Sequence, residues 1–201
     1  MKIAIGQIGT DADKTANFAL VAQAVITAAM NHARLILFPE ATMRAFGTGR
    51  LDEIAEPLDG PFVSALAGLA KNYNIAIVVG MFRPADQHVV SGRTINRVYN
   101  TTVAICPDGT VVHYDKIHTY DAFGYRESDT IKPGKNLVTF TYNAVTFGLA
   151  TCYDLRFPQQ FRQLARRGAD IILVPTSWAD GPGKLQQRQL LIRARALDAT
   201  S

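Results

Sequence analysis

Three short apolar runs constrain what this chain can fold into more than any other feature. Residues 34–38 read Arg-Leu-Ile-Leu-Phe, residues 75–82 Ile-Ala-Ile-Val-Val-Gly-Met-Phe, and residues 170–174 Asp-Ile-Ile-Leu-Val. None alternates with polar residues, so each predicts a strand covered on both faces, as in parallel sheets lying under helices. Helical spacing appears between and after them. Residues 14–31 repeat apolar side chains at Phe18, Val21, Ala22, Val25, Ile26 and Ala29, residues 61–73 open on Pro61, and residues 157–167 stop at Gly168. A last helical pattern covers residues 186–199.

The remaining segments add antiparallel pairing. Residues 2–8 alternate as a strand, and residues 96–106 turn at Pro107-Asp108-Gly109 into residues 111–114. Residues 137–142 turn at Asn143-Ala144 into residues 145–151 in the same way. The expected fold is therefore α/β with mixed sheets, a layered sandwich rather than one doubly wound sheet. No repeat, low-complexity tract or linker divides residues 1–201, and 48% apolar composition suffices for one sizeable core. The longest irregular stretch, residues 118–135, is the length at which a loop in a compact domain tends to serve function. A strong helical pattern runs almost to Ser201, so the native polypeptide is expected to continue past it.

Charge and cysteine content narrow the function. The formal charge is only +4, and the late arginines (Arg162, Arg166, Arg167, Arg188, Arg193, Arg195) lack interleaved aromatics. They read as solvated faces or ion pairs, not as a nucleic-acid surface. Cys106 and Cys152 are the only cysteines, so there is no disulfide framework. The apolar N-terminal run is too short for a signal peptide, and no run approaches the ~20 residues of a membrane span. A reducing cytoplasm is the expected address, and the Asn100-Thr101-Thr102 sequon then has no consequence. No metal-ligand spacing such as H-E-x-x-H or paired C-x-x-C occurs, so no metal site is expected. Gly181-Pro182-Gly183-Lys184 imitates the end of a phosphate loop but has Trp178 and Leu185 where Gly and Ser or Thr belong. Gly47-Thr48-Gly49 likewise fails as a dinucleotide fingerprint, with Asp52 at the third glycine position.

Three segments place reactive side chains at element ends. Phe38-Pro39-Glu40 ends a buried strand, Tyr114-Asp115-Lys116-Ile117-His118 follows a hairpin strand, and Thr151-Cys152-Tyr153-Asp154 stands between a strand and a helix. A thiol there would gain from the partial positive charge of the helix terminus, a lysine would stabilise an oxyanion, and a glutamate would move the proton. Each has a bland reading too. Cys152 alone is a small core residue, Glu40 a solvated loop charge, and Lys116 a strand-edge guard.

Together these segments resemble the three signature blocks of the nitrilase superfamily of carbon–nitrogen hydrolases, in that family's order. The third block extends through Cys152-Tyr153-Asp154-Leu155-Arg156-Phe157-Pro158, and residues 172–178 and Arg193-Ala194-Arg195-Ala196 resemble the downstream pattern. The resemblance implies a four-layer αββα sandwich, usually dimerised, in a chain longer than this one. It implies Cys152 as nucleophile, Glu40 as general base and acid, and Lys116 with the backbone N–H of Tyr153 as oxyanion donors. Glu127, in Arg126-Glu127-Ser128-Asp129-Thr130, matches a second glutamate beside substrate and lysine. Asp198 stands where relatives often carry Glu.

Tyr-Asp-Leu-Arg-Phe-Pro after the cysteine resembles the amidase branch, which includes ω-amidases and deaminated-glutathione amidases. The implied reaction is hydrolysis of a small carboxamide through a thioester, with no metal or organic cofactor, and the implied partners are that substrate and further copies of the chain in a homodimer or higher homo-oligomer. Arg44, Arg126, Arg156 and Trp178 are candidate substrate contacts, guanidinium groups being suited to a carboxylate at the amide's far end. Arg156 also reads as a buried structural ion pair with Asp154 or another acid. His118 invites a Cys–His reading, but the matched blocks already supply a base in Glu40. A catalytically silent scaffold on the same fold is the alternative, and preferential alkylation of Cys152 over Cys106 separates the two.

Overall fold

A computed structural model of the chain describes every residue except Phe123 and Ser201; the expectation attached to Ser201 lies outside the described residues. In chain order the elements are β1 (Ile3–Ile5), α1 (Lys14–Met30), β2 (Leu35–Leu37), α2 (Pro61–Tyr73), β3 (Ala76–Val90), β4 (Arg93–Ile105) and β5 (Val111–Asp115). They continue as β6 (Asp121–Ala122), β7 (Tyr125–Arg126), β8 (Val138–Tyr142), β9 (Val145–Leu149), α3 (Pro158–Arg166), β10 (Ile171–Leu173) and α4 (Lys184–Ala199).

Strands β1 to β5 form one sheet in sequence order, parallel from β1 to β3 and antiparallel from β3 to β5. Strands β10, β9 and β8 form a second sheet, with β10 and β9 parallel and β8 antiparallel to β9. Because successive residues on a strand face opposite ways, the buried runs feed two cores. Ile36, Ile77, Val79 and Val103 pack against Val21 and Val25 of α1 and Phe62 and Leu66 of α2. Leu35, Ala76, Val78 and Tyr114 face Phe140, Phe147, Leu149 and Leu173 of the second sheet. A third cluster sets Phe161 and Leu164 of α3 beside Ala199 of α4. The layers thus run helix, sheet, sheet, helix, as the resemblance implies.

Local chemistry fixes the ends. Asp13 caps α1 by accepting from the backbone N–H of Thr15 at 2.8 Å, which satisfies a donor the helix leaves unpaired. Glu56 does the same for α2, accepting from Phe62 N at 2.7 Å. Both foreseen hairpins form. The Asn143-Ala144 turn has φ +55° and +61°, the double left-handed geometry that matches strand twist.

Four expectations change. Residues 75–82 and 96–106 are parts of one long hairpin, β3 and β4, closed at Ser91-Gly92 with φ +50° and +76°. The helix after Cys152 is preceded by a 3₁₀ turn over Cys152–Arg156, and α3 starts only at Pro158. The stretch 118–135 holds the small β6–β7 pair and a 3₁₀ turn over Glu127–Asp129. Strand β1 spans only Ile3–Ile5 rather than residues 2–8.

Candidate active site

The ends of β2, β5 and β9 converge on one cavity of about 400 Å³, whose lining includes Glu40, Lys116, Glu127 and Cys152. Aromatic walls come from Phe46, Tyr120, Tyr125, Tyr153 and Trp178, with Arg156 and Lys184 also on the lining.

Glu40 follows β2 across Pro39 and is 1% exposed. Its Oε1 accepts from Lys116 Nζ at 3.1 Å and Asn100 Nδ2 at 2.8 Å, and its Oε2 from Ser177 N at 2.9 Å. Lys116 Nζ also lies 3.1 and 2.9 Å from the two carboxylate oxygens of Glu127. Glu127 Oε2 accepts in addition from Tyr120 N at 2.6 Å. Such charges are tolerable in a dry setting only when paired and hydrogen-bonded. Burial works against the ammonium, yet Glu40 and Glu127 outweigh it, and the Lys116 pKa is raised.

Cys152 occupies the first position of the 3₁₀ turn with φ +45°, a left-handed conformation that costs a side-chain-bearing residue energy. Its N–H is tied to Pro175 O at 3.0 Å, and Cys152 lines the cavity together with Glu40 and Lys116. Burial pushes the thiol pKa well above its usual range; Glu40 adds to that rise and Lys116 opposes it. The pull towards the thiolate expected from a helix terminus is therefore outweighed by burial and Glu40. Desolvation, with Glu40 and more weakly Glu127, thus favours the neutral thiol.

Among the other candidates, Tyr153, Arg156 and Trp178 line the cavity. The Arg156 guanidinium sits 5.6 Å from the Tyr153 ring centre and 5.8 Å from that of Trp178. It donates to Gln187 Oε1 at 3.0 Å, and its buried Nε has no hydrogen-bond partner among the described residues. Its expected pairing with Asp154 does not occur, because Asp154 is taken up by Tyr114, His118 and Thr151. Arg44 is corrected as a substrate contact: it donates to the backbone carbonyls of Ala12 and Arg50 at 3.0 and 2.9 Å, bracing the loop after β2. Arg126 is corrected too, its side chain being 71% exposed and turned towards Asp129.

Asn100 escaped sequence reasoning as a site residue. It is 1% exposed, and its amide donates to Glu40 at 2.8 Å and Glu127 at 3.3 Å. Both carboxylates need a donor there, which fixes the orientation of the amide. The sequon reading of Asn100 gives way to this buried role.

Among the described residues no group of His, Cys, Asp and Glu has the arrangement of a metal site, and no helix is long and apolar enough to cross a membrane. What the cavity holds is a thiol, a buried base and an ammonium, the set needed for acyl transfer.

Known proteins share this plan. The sequence profile of the Carbon-nitrogen hydrolase family matches residues 2–200. A Mycobacterium tuberculosis protein named only as a hydrolase is 44% identical over 204 residues, covering 100% of this chain and 70% of its own length. The deaminated glutathione amidase of Escherichia coli O157:H7 is 32% identical, over 100% of this chain and 74% of its own. An amidase from Nesterenkonia sp. superimposes with a TM-score of 0.82 at 25% identity, covering 100% of this chain and 73% of that one. A variant of that amidase carries acrylamide added at its active-site cysteine, with a TM-score of 0.76 at 26% identity, over 98% of this chain and 74% of that one. With its profile matched over nearly the whole length, the chain belongs to the carbon–nitrogen hydrolase family, within the nitrilase superfamily.

Proposed function

We propose that this chain hydrolyses a small linear carboxamide through a thioester on Cys152, releasing ammonia and a carboxylic acid. The observation that carries the reading is the placing of Cys152, Glu40 and Lys116 on one cavity, with Glu127 and Asn100 holding the charges.

The amide carbonyl carbon sits against the Cys152 sulfur, and Glu40 takes the thiol proton as the C–S bond forms. The carbonyl oxygen becomes an oxyanion beside Lys116 Nζ and the Tyr153 N–H, where a preorganised cation in a dry site is worth most. Glu40 returns the proton to the leaving nitrogen, the C–N bond breaks and ammonia departs. Glu40 then takes a proton from water as its oxygen attacks the thioester, and the thiol is regenerated. The positive charge of Lys116, secured by two carboxylates, keeps it a donor throughout.

The aromatic walls suit a short, mostly apolar acyl chain, and Arg156 suits a carboxylate or keto acid at its far end. That selects ω-amide-like substrates. A homodimer in a reducing compartment completes the reading, and light scattering on the purified chain tests the dimer.

The deciding experiment measures ammonia release by the wild type and Cys152→Ala. The panel holds ω-amides of keto acids, a deaminated glutathione analogue, aliphatic amides, N-carbamoyl amino acids and a nitrile. Turnover of an amide that vanishes in the variant supports the reading. Silence across the panel, with Cys152 no more reactive to alkylation than Cys106, rejects it in favour of a silent scaffold.

A further inference from the structure

Asp154 is fully buried, and the reaction as written does not use it. Its two oxygens are divided between the two halves of the site. Oδ2 accepts from Thr151 N at 2.8 Å, the residue before Cys152, and from Tyr114 Oη at 2.6 Å. Oδ1 accepts from His118 N at 3.0 Å and lies 2.7 Å from His118 Nδ1. Tyr114 and His118 stand two residues before and two residues after Lys116. One carboxylate therefore grips the nucleophile's turn on one side and brackets the lysine on the other.

The surroundings hold this clamp still. The His118 ring stacks on Phe157 with centroids 3.6 Å apart and planes 7° from parallel. Tyr114 Oη accepts from Gln160 Nε2 at 2.9 Å and from Ile117 N at 3.1 Å, drawing α3 and the lysine loop into the same network. A carboxylate that accepts only requires the proton on His118 Nδ1. A buried acceptor with this many donors fixes the geometry of the groups around it.

We infer that Asp154 and His118 are positioning residues that set the distance between the Cys152 sulfur and the Lys116 ammonium. The inference rests on the reading of that thiol and ammonium as nucleophile and oxyanion donor. Losing the His118 ring donor leaves only the backbone N–H of residue 118 on Asp154 Oδ1 and loosens one side of the Lys116 loop, so the ammonium drifts from where the oxyanion forms while the substrate walls stay in place.

The test compares wild type, His118→Leu, His118→Asn and Tyr114→Phe. The Asn amide donates from nearly the position of Nδ1, whereas Leu keeps bulk without a donor. Steady-state amide hydrolysis is expected to show kcat roughly 10- to 100-fold lower in His118→Leu with KM within about twofold, the scale of a ~1 Å misplacement. His118→Asn is expected to recover most of it, with Tyr114→Phe intermediate. Iodoacetamide labelling of Cys152, read by peptide mass against buried Cys106, needs no turnover. It is expected to slow in His118→Leu and recover in His118→Asn, because Lys116 favours the thiolate. Wild-type kcat and labelling in folded His118→Leu overturn the inference, as does a loss in both that His118→Asn fails to restore. If labelling follows His118 but no amide is turned over, the clamp stands and the proposed substrate class falls.

Discussion

Lys116 and Glu127 form a bidentate ion pair, with Nζ 3.1 and 2.9 Å from the two carboxylate oxygens and side chains only 2% and 4% exposed. Glu40 pairs with the same ammonium, at 3.1 Å. Glu127 thus supplies a second negative charge to hold Lys116, which in the proposed reaction lets Glu40 pick up a proton without stranding the lysine.

Replacing Glu127 separates charge from shape. Glu127→Gln keeps an oxygen for Lys116 and is expected to lower kcat roughly 10- to 100-fold with a smaller change in KM, the signature of an interaction made mainly in the transition state. Glu127→Ala is expected to cost about 3 kcal/mol of stability as well, because a buried ammonium loses a partner. Steady-state kinetics and urea unfolding measure the two effects. Full activity in Glu127→Gln would reduce Glu127 to a structural counter-ion.

The strained backbone at Cys152 gives an independent prediction. With φ at +45°, a side chain at this position bears about 1 kcal/mol or more that glycine avoids. Cys152→Ala and Cys152→Gly are both expected to be inactive, but the glycine variant is expected to be at least as stable as the alanine one. Paired urea titrations check this. A glycine variant weaker by more than about 1 kcal/mol, the usual entropic disadvantage of glycine, would show that strain is not what the turn stores.

Alkaline pH tests the inter-sheet core. Burial, with a smaller push from Asp108, raises the Cys106 thiol from 9.0 to about 11. A thiol raised in the folded state contributes stability in full below its unfolded pKa. That contribution is lost as pH climbs from about 9 to about 11, by about 2 kcal/mol. The Cys152 thiol, also raised, acts with the same sign. Unfolding free energy is therefore expected to fall across this window, and less steeply in Cys106→Ala. Identical slopes would contradict the assignment.

Much of this arrangement was legible in the sequence because its reactive residues follow strands whose apolar runs announce them. Glu40, Lys116 and Cys152 each lie within three residues of the end of β2, β5 or β9. Asn100 was not legible. It lies inside β4, and only the fold reveals that its amide meets two acids 60 and 27 residues away. The fate of Asp154 was hidden for the same reason: its partners Tyr114 and His118 are 40 and 36 residues distant, whereas Arg156 looked close in sequence. The Ser91-Gly92 turn was overlooked because polar residues along residues 83–97 mask the strand period. Pro84 adds to this, with the β3–β4 register shifting between Pro84 and Gln87, where a strand proline is tolerated.

Gly80 shows how closely the base depends on its support. A Cβ at this β3 residue would lie 2.7 Å from Ala41 N, 2.9 Å from Glu40 Cα and 2.9 Å from Pro39 O. All three neighbours are backbone atoms, so no side chain can swing aside. Gly80 O also accepts from Met43 N at 3.2 Å, which ties the Glu40 segment to β3. Gly80→Ala must therefore push the Glu40 backbone outward. The overpacking is expected to cost about 1–3 kcal/mol. The displaced carboxylate is expected to cost far more in rate, roughly 100-fold for a shift near 1 Å. Because Lys116 keeps Glu127 and the cavity walls are untouched, KM should move little. Urea unfolding and initial-rate kinetics on the same preparation separate the two. A variant that loses stability but keeps kcat would mean that Glu40 is held by Lys116, Asn100 and Ser177 rather than by its backbone.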